Sequence, residues 1–193
     1  EFRARNNLGA FLLWSDPVEV LALTRDGMEI SLRKGDVDTH AGLAAKALEA
    51  ATALGEWDWA LELLESVVRT GVSAFASTQL DAFEMVLRAM RGESDRVDTL
   101  LQVGIEEAEK TESVQAIQVF HLYAGISEAA RGRFEEALGH LTVGRELIAD
   151  FERPRFALIA LQAADDQLLG EVRSMRAFNG SALRRLREER GVD

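Results

Sequence analysis

The sequence predicts an all-α fold, an array of about five antiparallel helix pairs. Three observations lead there. Pro17 and Pro154 are the only prolines in 193 residues, so little in the chain breaks a helix. The composition leans on Ala, Leu, Glu and Arg, which lose little rotamer freedom on a helix. A turn-like motif also recurs at residues 15, 55, 92, 132 and 170, with spacings of 40, 37, 40 and 38 residues. A regular period of this length is the mark of a stacked array, in which no pair buries its apolar face alone.

The recurring motif reads Ser15-Asp-Pro-Val-Glu-Val20, Gly55-Glu-Trp-Asp-Trp-Ala60, Gly92-Glu-Ser-Asp-Arg-Val97, Gly132-Arg-Phe-Glu-Glu-Ala137 and Gly170-Glu-Val-Arg-Ser-Met175. Four of the five open on glycine, which takes the left-handed conformation that ends a helix. Polar or acidic residues follow, where a helix N-terminus favours negative charge. An apolar residue then sits five positions on, where the second helix must approach the first. Helices are expected over 2–14 and 18–33, 38–54 and 57–70, 73–91 and 94–110, 113–131 and 134–149, and 154–169 and 171–190. Leu61, Leu63, Leu64, Val67 and Val68 recur at helical spacing, as do Ala137, Leu138, Leu141, Val143 and Leu147. The corresponding units are about 1–35, 36–71, 72–111, 112–150 and 151–190 of a single domain.

These motifs resemble the tetratricopeptide repeat (TPR). Asn7-Leu8-Gly9 matches the family's first-helix signature, and Gly125 matches its glycine in the fourth unit. Gly55 to Ala60 and Gly132 to Ala137 match the turn, with Gly92 and Gly170 as looser counterparts. The period exceeds the family's usual 34, and its proline after the second helix is missing. The resemblance implies a right-handed superhelical solenoid whose first helices line a concave face that receives a peptide or helix. The turn style is similar to the helical repeat region of large bacterial signalling ATPases, the adenylate-cyclase-linked and LuxR-type regulators. With no initiator Met and an opening inside a helical pattern, the chain reads as a section of a longer protein.

Charge narrows the partners. The net charge is −11, and phosphate binding needs a basic face, so nucleic acid is not expected. Residues 36–170 hold 24 acidic and 11 basic residues, while 171–193 hold six Arg against four acids. There is no cysteine, which removes thiol chemistry and thiolate zinc sites and suits a reducing cytoplasm. No apolar run is long enough for a membrane span.

Catalytic chemistry finds little support. His121 and His140 flank the fourth turn and can approach each other, with Glu128 or Glu136 as a conceivable third metal ligand, but no His-Glu-x-x-His spacing exists. Ser73, Ser77 and Thr78 cluster without a nearby histidine, and Ser73 reads as a helix cap. Phosphate-binding glycine loops are absent. The expectation is no enzyme, no metal and no cofactor in this segment.

The concave positions, counted from each turn, carry small and apolar residues rather than the lysines and arginines of a carboxylate clamp. Candidate partner-binding residues are Asn6, Asn7, Glu49, Gln79, Val86, Val119, Leu122, Ile126 and Gln167, with Glu49, Glu84 and Glu128 on or beside the strip. The alternative is that this strip is simply core. The expected occupant is an apolar or amphipathic helix with basic flanks. Apolar ends at Phe2–Trp14 and 181–190 also allow a homodimer. The leading expectation is an interaction scaffold within a bacterial signalling protein. A stand-alone peptide-sensing regulator is the alternative, and a helical-repeat enzyme the remote one.

Overall fold

The computed structural model describes residues 16–149 and 166–175, and the described residues contain helices and no strand. Seven helices follow in order: α1 (Pro17–Arg33), α2 (Val37–Leu54), α3 (Trp57–Ser66), α4 (Ala74–Met90), α5 (Ser94–Lys110), α6 (Val114–Ala130) and α7 (Phe134–Ala149). Residues 166–175 form a further helical stretch. The predicted segments 2–14 and 154–165, and the residues after 175, lie outside the described residues.

The helix starts follow from their caps. Asp16, Asp36, Ser73 and Ser113 each accept a hydrogen bond from the backbone N–H three residues on. That satisfies one orphan donor of α1, α2, α4 and α6. The turns at Gly55, Gly92 and Gly132 take φ of 76–77°, the left-handed cap expected from the motif.

Two boundaries differ from the sequence reading. Helix α3 stops at Ser66, not at residue 70. Val67 turns extended (φ −70°, ψ 120°) and enters the core, and the β-branched Val67-Val68 pair favours that leaving conformation. Gly170 does not open a turn: residues 166–175 run as one helix through it. The Ser174 hydroxyl donates to the Gly170 carbonyl, and Gln167 donates to Glu171 across one helical turn.

Packing is organised by the even-numbered helices. Helix α4 packs on α2 and on α6, so these three form a continuous row. Among the seven described helices, the backbones of α1, α3, α5 and α7 approach members of that row rather than one another. Most of the core is Ala, Leu and Val, and α2, α4 and α6 supply the larger share of it; the small residues at Ala60 and Ala137 are fully buried where the turns predicted them.

Close approach depends on two glycines that lie at matching places. In α1, a Cβ on Gly27 would stand 2.8 Å from Leu43 of α2; in α5, a Cβ on Gly104 would overlap the Phe120 ring of α6. The same separation in sequence pairs Leu64 of α3 with Leu80 of α4, both buried. With leucine in the glycine's place, α3 and α4 make the sparsest backbone contact of any packed pair. Gly125 plays the related role inside the fourth pair, where a Cβ would stand 2.7 Å from Leu141.

Gly104→Ala should therefore destabilise the chain by about 1–3 kcal/mol through overpacking. Gly139→Ala, at an exposed helical position with open space around it, should stabilise by about 0.5–1 kcal/mol. Urea denaturation midpoints check both, and the two shifts should have opposite signs.

Candidate functional site

One face of the α2–α4–α6 row gathers perturbed ionisable groups. Glu49 of α2 and Tyr123 of α6 meet there, with the tyrosine hydroxyl donating to Glu49 Oε1. The bond passes over α4, so α2 and α6 reach each other on this face. Phe83 of α4 fills the space between, edge-on to Tyr123 with ring centroids 4.5 Å apart. Burial pushes the Glu49 carboxyl up to about 7, against the opposing pulls of Tyr123 and Lys46. Burial holds the Lys46 ammonium below its ordinary range, with Glu49 opposing, and burial raises Tyr123 well above its own.

Two further carboxylates sit deeper and are closed off by the chain's own arginines. Glu84 accepts from Nε and NH2 of Arg96 at 3.1 and 3.0 Å, with Arg88 and Arg69 at 3.5 and 3.8 Å. Glu128 accepts from Arg131 at 3.0 Å, with Arg133 at 3.8 Å. The sequence reading placed both on or beside a strip offered to a basic partner. The structure corrects this: both are buried and already paired.

These arginines also tie each turn to the helix before it. Arg91 bonds Asp58 of α3 at 2.9 Å, and Arg131 and Arg133 bond Asp98 of α5 at 2.6 and 3.0 Å. Arg25 of α1 lies 4.4 Å over the Trp59 ring and 3.7 Å from Glu56. Trp57 and Trp59 are both half-buried against the core, and Trp57 Nε1 donates to the Thr52 carbonyl. This seam went unread in the sequence. Its signal was a basic residue beside two of the turn glycines: Arg91 at Gly92, and Arg131 and Arg133 at Gly132.

His121 and His140 do converge, with Nδ1 atoms 3.1 Å apart. Burial lowers both, His121 to about 4 with help from His140. Glu128 is committed to arginines and does not join them. Among the described residues no three His, Asp or Glu side chains are grouped to hold a metal ion. His40 is buried, with Nδ1 3.5 Å from Ser31 Oγ and 3.4 Å from the Met28 carbonyl. Ser73 caps α4, and Thr78 donates to the Ala74 carbonyl.

The proposed concave residues divide. Glu49 and Gln79 are half-buried on the row, whereas Val86, Val119 and Leu122 are core. Their apolar character answers to interior packing, as the alternative reading of the strip as core expects. Asn6, Asn7 and Gly9 lie outside the described residues. Ile126 lines an apolar cleft of about 160 Å3 together with Met90, Ala129, Leu141, Leu168, Val172 and Met175, with Glu171 also in the lining. Met90 and Met175 are exposed there, as is Gln167 on the same helical stretch. No protein-family profile matches this chain, and no characterised protein matches it.

Two outcomes test this electrostatic picture. Glu84→Ala leaves three guanidinium groups around a vacated, buried position and should cost about 3 kcal/mol. Asp58→Ala, at an exposed pair, should leave the denaturation midpoint unmoved. For Glu49 the folded-state value is raised, so its contribution is fully present below about 4.5 and is lost as pH rises through about 7. Glu49→Gln should remove that part of the decline, and the melting temperatures of variant and wild type should diverge between pH 5 and 8, with the variant higher at pH 8.

Proposed function

We propose that this chain is a non-catalytic protein–protein interaction scaffold: a TPR-like, right-handed solenoid of about five helix pairs within a cytoplasmic bacterial signalling or transcription-regulatory protein. The row of α2, α4 and α6, flanked by helices whose backbones approach the row rather than one another, supports that arrangement. The observation that carries the function is the open apolar cleft where the ends of α4 and α6 meet α7 and the helical stretch 166–175. Its exposed methionines are unbranched and adaptable, the kind of side chain that accommodates a helix face. The buried carboxylates Glu84 and Glu128 are spent on internal pairing, which favours an apolar contact as the main attraction on offer.

The occupant is an amphipathic helix with basic flanks. Its apolar face suits Met90, Ile126 and Met175. Its basic flanks suit Glu171 and the chain's net charge of −11. Charge then contributes to association rate and orientation more than to affinity.

A fluorescently labelled Leu/Lys amphipathic helix should bind the chain by anisotropy, and a peptide of the same composition with the apolar stripe scrambled should not. Met90→Glu should weaken binding at least about tenfold by placing a charge in the cleft. Equal binding of the two peptides, or an unaffected Met90→Glu variant, would mean unspecific charge attraction and would overturn the proposal.

A further inference from the structure

The His121–His140 pair has no part in the scaffold reading, yet its ring nitrogens stand at the separation found in a chelate. The two rings come from different helices, α6 and α7. Their Nδ1 atoms face each other at 3.1 Å, with ring centroids 5.3 Å apart and planes inclined by 40°. A divalent cation bound about 2.0–2.1 Å from each imidazole nitrogen holds two neighbouring ligands roughly 3 Å apart. The pair therefore already has the separation of two adjacent ligands on one ion.

We propose that His121 and His140 form a two-imidazole site for a late first-row divalent cation, Cu2+ foremost and Ni2+ next, which pins α6 to α7. His121 is buried and fixed by packing, while His140 is half-exposed and lets water reach the remaining coordination positions. Two protein nitrogens plus water do not make a structural zinc site, which takes four protein ligands. They suit the tetragonal or octahedral preferences of Cu2+ and Ni2+, and copper heads the affinity order for nitrogen ligands.

The protonation state agrees with the geometry. A metal takes the neutral imidazole, and burial keeps both rings neutral at pH 7. The charged neighbour acting on His121 is His140 itself, and no other group is seen to shift His140. In the metal-free chain one Nδ1–H donates to the other ring's lone pair. On binding, that proton moves to Nε2 of the same ring, so both Nδ1 lone pairs face the ion with no net proton release. His40 supplies a natural control, because its Nδ1 faces Ser31 and the Met28 carbonyl of α1.

The test is Cu2+ titration of the full chain at pH 7.5, read by electron paramagnetic resonance and by thermal unfolding. The wild type should bind one Cu2+ with hyperfine structure from two imidazole nitrogens and a raised melting temperature. His140→Ala, at the half-exposed ring, should weaken binding at least about tenfold and lose the two-nitrogen signature, while His40→Ala should keep both. A spectrum unchanged by His140→Ala would indicate an adventitious ion only. That result would overturn the proposal.

Discussion

The arrangement rests on how closely a flanking helix can approach the central row. Where the flanking helix carries glycine, at Gly27 and Gly104, the bulky Leu43 or Phe120 of the next row helix fits against bare backbone. Where it carries Leu64, the approach is looser and α3 ends early at Ser66. A close-packed interior transmits such differences, because adding even one methyl group forces neighbours to move. The spacing between pairs is thus set one side chain at a time.

Electrostatics then fixes what packing leaves free. The core of α2, α4 and α6 is mostly Ala, Leu and Val, which give stability without much directional preference. The arginines beside the turns supply direction. Arg91 and Arg131 each reach back to an aspartate of the preceding flanking helix, and Glu84 and Glu128 are buried because guanidinium groups close them. Exposed members of this seam contribute little alone. The buried carboxylates matter more, since an unpaired charge inside a protein is costly. The net charge of −11 therefore overstates the negative surface offered to a partner.

Much of the fold was legible in the sequence. Gly55, Gly92 and Gly132 announced their turns because a left-handed cap needs glycine, and Ala60 and Ala137 announced close approach because little else fits. The break expected at Gly170 was misplaced, since glycine next to Glu and Val is also tolerated inside a helix when its carbonyl finds the Ser174 hydroxyl. The site was less legible. Val86, Val119 and Leu122 share the helical spacing of a groove and of a core, and only packing against a third helix separates the two. The Glu49–Tyr123 contact joins residues 74 apart, a separation at which no local pattern signals contact. The meeting of His121 and His140 was foreseeable, because both flank one turn.

The central claim is that α2, α4 and α6 pack as one unit, so that α2 and α6 are energetically coupled across α4. A double-mutant cycle on Glu49 and Tyr123 measures that coupling directly, using Glu49→Ala, Tyr123→Phe and the double variant in urea denaturation at pH 6. The account predicts an interaction energy of at least about 0.5 kcal/mol. Additivity of the two substitutions within about 0.3 kcal/mol would contradict it, because the two helices would then not meet.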